Sequence, residues 1–242
     1  MNPWVRLAWV LSLTGIPLVL LLGVLFPFER SYYFVAFAVI LLAIVPFFAA
    51  FEGRKPAARE VVIIAVMTAI AVTGRAAFFM VPQFKPGVAV VILAGVGLGR
   101  ESGFVVGALT GFVSNFIFGH GPWTPWQMFA YGLIGFLAGV FFSRGAAERN
   151  GLGRGSRSYK PWIIGYGTVA TFVIYGLLVD TASVMMWASE FTWPAIFAIY
   201  LSGVPFNALH AFASAVFLTL LSTLIVEKLT RLKTRYGMFQ PR

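Results

Sequence analysis

Apolar residues fall along this chain in eight blocks divided by short polar breaks: 4–26, 31–51, 58–80, 88–99, 103–118, 126–143, 161–187 and 195–226. A helix rises about 1.5 Å per residue, so crossing about 30 Å of hydrocarbon takes about 20 residues. Most blocks meet that length. The fourth is short and rich in glycine, and the third is interrupted only by Arg75. Pro82 and Pro86 bracket a turn after the third block, because proline disfavours helical geometry in the residue before it. The pattern predicts an all-α, polytopic membrane bundle of about eight transmembrane helices. The main polar linker is 144–160, with Gly, Ser and five basic residues.

Composition supports this reading. Of 242 residues, 60% are apolar and 11% charged, against about 25% charged in a soluble domain. A water-exposed surface cannot be built from that stock. With 17% aromatic residues, 25 Gly and 13 Pro, a disordered tail or a coiled coil is also excluded. There are no cysteines, which excludes disulfides, thiolate metal sites and Cys nucleophiles. No metal or cofactor is expected.

The net charge of +10 would suit nucleic acid in a soluble protein, but its placement points to the bilayer. With the N-terminus inside, cytoplasmic segments and adjacent helix ends hold 15 of the 18 basic residues. Arg30 and Lys85 lie on the other side and Arg75 within a span. Positive-inside bias of this strength predicts eight passes of the cell membrane with both termini cytoplasmic and no nucleic-acid partner.

The same layout places 81–87, 119–125 and 188–194 outside. They are aromatic and proline-stiffened: Phe84 in the first, His120, Trp123 and the adjacent Trp126 around the second, Trp187 and Trp193 flanking the third. Such residues anchor helices at headgroups or form a lid. Gly103, Gly107 and Gly111, with Gly132, Gly135 and Gly139, predict close backbone packing of the fifth and sixth helices. Ionisable groups inside hydrocarbon carry more information, since each costs several kcal/mol unless partnered. Arg75 and Asp180 lie at comparable heights, which invites an ion pair. Asn115 sits near the outer end of the fifth helix, and Asn207 and His210 lie one turn apart in the eighth. Pro205 should free backbone carbonyls there. No Walker lysine motif, zinc-protease motif or nucleophile elbow is present.

From about 57 to 235 the chain resembles the substrate-binding (S) component of energy-coupling factor (ECF) vitamin transporters. The resemblance rests on Ala65-x-x-x-Ala69 after a basic entry and on Thr73-Gly-Arg-Ala-Ala-Phe-Phe79. It rests further on Pro82-Gln-Phe-Lys-Pro86 and, most specifically, on the stretch from Asn115 to Met128 with Gly121-Pro-Trp-Thr-Pro-Trp126. It implies a six-helix membrane core over 57–235 that binds a vitamin from outside. Two N-terminal helices over 1–56 and a short tail over 236–242 are additional. A separate transmembrane coupling protein and two ATPase subunits supply energy, with Ala65 and Ala69 facing the coupling protein. The resemblance is strongest to cobalamin-type members; riboflavin or another flat heterocycle is the alternative. Arg75, Phe84, Asn115, His120, Trp123, Trp126, Gln127, Tyr131, Asp180, Trp187, Asn207 and His210 are the expected substrate-binding residues. No enzyme activity is expected. An intramembrane lipid-modifying transferase would need converging acid and base groups, and only Arg75, Asp180 and His210 offer them. The composition also suits a structural membrane protein or a self-sufficient secondary transporter.

Overall fold

The computed structural model describes residues 3–25, 31–53, 56–143, 160–188 and 192–236. These form eight helices and no strand: α1 (Pro3–Leu25), α2 (Ser31–Gly53), α3 (Ala58–Ala77), α4 (Gly87–Leu98), α5 (Arg100–Phe118), α6 (Thr124–Phe142), α7 (Lys160–Trp187) and α8 (Trp193–Tyr236). The linker 144–159, the loop residues 189–191 and the tail from 237 lie outside the described residues, so the charges placed there by sequence are not located. Six helices, α2, α3 and α5 to α8, are long and apolar enough to cross a membrane. The first and fourth predicted passes are the exceptions. α4 has 12 residues and rises about 18 Å, too little to cross alone.

α4 is hydrophobic on every side, as expected of a helix enclosed by others, and each residue from Gly87 to Leu98 is buried. α3, α5, α6 and α8 surround it. Gly99 carries φ +106° between α4 and α5, a left-handed conformation that allows the chain to reverse with one intervening residue. α5 and α6 meet backbone to backbone. A Cβ on Gly103 would collide with the Gly135 carbonyl, and one on Gly107 with the Tyr131 carbonyl. The glycine spacing seen in the sequence thus marks this contact.

α1 packs on α2, and α2 docks on α5 and α6. Phe47 stacks on Phe104 at 4.1 Å and meets Phe136 edge-on at 5.1 Å. The N-terminal pair is an added layer on one side of the bundle. α8 is longer than its apolar block. It runs 44 residues, unbroken through Pro205, and reaches about 66 Å. Its last turn returns to the start of α3, where the Arg59 guanidinium lies 5.7 Å from the Tyr236 ring.

Candidate functional site

Five helices each send a side chain to one buried cluster. Arg75 from the last turn of α3 is 6% exposed and donates from Nη1 to the Tyr131 hydroxyl of α6 at 2.8 Å. Its guanidinium carbon lies 5.0 Å from the ring centres of both Phe118, at the end of α5, and Tyr131. Tyr131 stacks on Tyr175 of α7 at 5.0 Å, and His210 of α8 stands edge-on to Tyr175 at 4.7 Å. Arg75 Nε and His210 Nδ1 are buried without a hydrogen-bond partner. Buried polar atoms are normally satisfied, so two that find no partner among the described residues, against a tyrosine stack, make this cluster the candidate site.

A second set of polar groups borders this cluster. Asn115 donates to Thr124 Oγ1 at 3.0 Å and to Gln127 Oε1 at 2.9 Å. Gln127 Nε2 reaches the Tyr175 hydroxyl at 3.5 Å. Thr124 Oγ1 also accepts from the Gly121 amide at 3.1 Å, fixing the 119–123 loop to the network. The 78–86 segment folds back over the cluster. Phe84 packs against Phe78 and Phe217, at 6.0 and 5.4 Å, while Pro86 abuts Gly74 of α3. Gln83 has φ 54°, a left-handed turn uncommon outside glycine. Lys85 lies 5.3 Å from the Phe118 ring. Burial, followed by the charge of Arg75, holds its pKa below the usual lysine value.

Tyr175 lies where the backbone of α7 departs from α-helical geometry. It closes a π-helical segment, Thr171–Tyr175, within α7, and such single-turn π-bulges are frequent at functional sites. Thr171 Oγ1 donates to the Gly167 carbonyl at 2.6 Å and lies 3.0 Å from the Ser214 hydroxyl of α8, which it can accept from.

The expected ion pair between Arg75 and Asp180 does not form. Arg75 bonds Tyr131, whereas Asp180 accepts from Asn207 Nδ2 at 2.7 Å. Each finds a neutral partner on another helix. Of the residues named from sequence, Arg75, Tyr131 and His210 meet in the cluster. Gln127 and Asn115 border it, Phe84 covers it, and Asp180 with Asn207 lies further along the α7–α8 contact. Four others stand apart. His120 is exposed and packs on Phe112 and Phe116, at 5.3 and 4.5 Å. Trp123 folds over Gly121, Trp126 is half-buried, and Trp187 is 75% exposed at the end of α7. Tyr175 and Phe118 escape sequence reasoning, since an aromatic inside an apolar run reads as packing. A cleft of about 650 Å³ between α1, α2 and Pro56 is separate from this cluster.

Residues 55–227 match the family described as "ECF-type riboflavin transporter, S component". A UPF0397 protein of Vibrio atlanticus (strain LGP32) is 30% identical over 129 residues, covering 47% of this chain and 69% of that protein. A UPF0397 protein of Aliivibrio fischeri (strain MJ11) is 34% identical over 89 residues, covering 35% of this chain and 48% of its own length. No solved structure matches. The family match takes in every residue of the cluster and leaves out α1 and α2. This chain belongs to the family of ECF-type riboflavin transporter S components.

Proposed function

We propose that the Arg75–Tyr131–Tyr175–His210 cluster is the substrate seat of a vitamin-uptake S component, and that its substrate is riboflavin or a closely related flat heterocycle. The observation that carries this reading is the pair of buried, unpartnered polar atoms, Arg75 Nε and His210 Nδ1, beside stacked tyrosine rings. Stacked aromatics supply area to a flat ring, and nitrogen groups at its edge supply orientation. The family description names riboflavin, and one arginine with two tyrosines suits a compact ring system. The cobalamin expectation has no comparable support.

In this reading substrate enters beneath the 78–86 and 119–123 segments, and the protein binds without changing it chemically. ECF S components work with a membrane coupling component and ATPases. On α3, Ala65 and Ala69 are exposed, as are Thr73, Val62 and Val66. This small-residue face, turned away from the chain's own core, suits close approach of a coupling helix. The basic end of α8, with Lys228, Arg231 and Arg235 exposed, then lies on the cytoplasmic side.

Riboflavin fluorescence tests the seat. Titrating riboflavin with the purified full-length chain in nanodiscs should give saturable quenching, and Tyr175→Ala should weaken binding by about tenfold or more. No quenching by the unaltered chain, with mass spectrometry of gently extracted protein recovering a corrinoid or lipid alone, would overturn the flavin assignment.

A further inference from the structure

Asp180 is a carboxylate within a membrane-crossing helix, where an ionisable group is costly and marks function. Its environment gives it more than a packing role. Oδ2 accepts from Asn207 at 2.7 Å, while no other described donor reaches the carboxylate. The side chain lies directly against Gly203, where a Cβ would stand 2.6 Å from Oδ2. Asn207 lies against Gly176 in the same way, at 2.8 Å. Two glycines thus make room for this pair between α7 and α8.

Holding the two helices together does not need a charge. Elsewhere along the same contact hydroxyls alone do so: Thr171 with Ser214 at 3.0 Å, and Thr181 with Tyr200 at 2.7 Å. A neutral amide at position 180 could accept from Asn207 equally well. What a carboxylate adds is acceptor capacity for further donors. Its link to the substrate seat runs through Asn207. Asn207 is one turn from His210 on α8, and Gly176, against Asn207, adjoins Tyr175 of the seat.

Resting on the substrate seat proposed above, we infer that Asp180, positioned by Asn207, is the specificity determinant that reads a hydroxyl- or amine-bearing arm of the substrate while the flat ring occupies the Tyr131–Tyr175 stack. A ligand sharing the ring but lacking the donor arm would leave this carboxylate without its second partner. Sites built to hydrogen-bond a substrate discriminate strongly against analogues lacking the donor.

The test uses pairs of probes that share a ring and differ in hydroxyl donors: riboflavin against lumiflavin, and pyridoxine against 4-deoxypyridoxine. Binding to the full-length chain in nanodiscs is measured by fluorescence and calorimetry. The unaltered chain should bind the donor-bearing member of its pair at least about tenfold more tightly. Asp180→Asn keeps an acceptor for Asn207, and it should bring that ratio close to one while leaving affinity for the donor-free member unchanged. Equal loss for both members would show a structural role and overturn the inference, and so would an unchanged ratio. Absence of binding to either pair by the unaltered chain would instead overturn the substrate seat itself. A mutant that fails to fold is recognised by its elution profile, and Asp180→Glu then serves: retained discrimination supports the inference and its loss opposes it.

Discussion

Along α5 and α6, Gly103, Gly107 and Gly111 lie against the backbone of Gly135, Tyr131 and Met128, with no room for a Cβ at the first two. Along α7 and α8 the partners are side chains that can let go: Thr171 with Ser214, Thr181 with Tyr200, Asp180 with Asn207. In lipid there is no hydrophobic drive between helices, so either contact must work through packing or hydrogen bonding. Backbone contact through glycine has one geometry and no alternative. A hydroxyl or amide rung can exchange partners, and such rungs average about 0.6 kcal/mol in membrane proteins. The rigid pair contributes Tyr131 and Gln127 to the seat, and the exchangeable pair contributes Tyr175 and His210. The proposed seat therefore joins one wall held by backbone contact, the fixed wall, to one held by side-chain bonds.

The largest expected effect comes from breaking the fixed wall. Gly135→Val drives a methyl-bearing carbon into the Gly103 carbonyl, and about 3 kcal/mol of stability should be lost. Gly165→Val on α7, where nothing lies within 4 Å, should leave the melting temperature nearly unchanged. Equal melting of the two variants by differential scanning fluorimetry would erase the contrast. Next in size is Arg75→Leu, which removes a charge inserted between the walls. Substrate affinity should fall by about 100-fold, equivalent to about 2.7 kcal/mol, while the empty protein melts no lower than the unaltered chain, as expected where stability has been given up for binding. A drop in melting temperature parallel to the loss of affinity would reassign Arg75 to structure. The smallest effect belongs to one rung. A double-mutant cycle on Thr171→Val and Ser214→Ala should return a coupling near about 0.6 kcal/mol. A value above about 2 kcal/mol would make the α7–α8 contact as rigid as its counterpart.

Hydropathy made most helices legible, because side chains facing lipid or the core are overwhelmingly apolar. It misplaced the end of α8. Glu227, Lys228, Arg231 and Arg235 close the apolar block, yet such residues are good helix formers and the helix continues to Tyr236. Arg75 was found through the cost of its charge, but its partner was not. Height along a helix does not reveal which neighbour faces it, and Tyr131, 56 residues away, occupies that place while Asn207 engages Asp180. Tyr175 was hidden for another reason. It lies in a π-helical segment that nothing in the run Thr171–Tyr175 signals.

The shortness of α4 also shapes the membrane around the protein. Arg100 is exposed and bonds Glu101 at 2.8 Å just beyond Gly99, which places that end at the polar boundary. The other end therefore stops about 12 Å below the opposite boundary. Irregular backbone at such depth persists only where protein shields it or water reaches it. Phe84 shields one flank of the 78–86 segment, and Met80, 86% exposed, marks the open one. In the proposed reading, a polar solute arriving from that side has less hydrocarbon to cross before it meets Arg75.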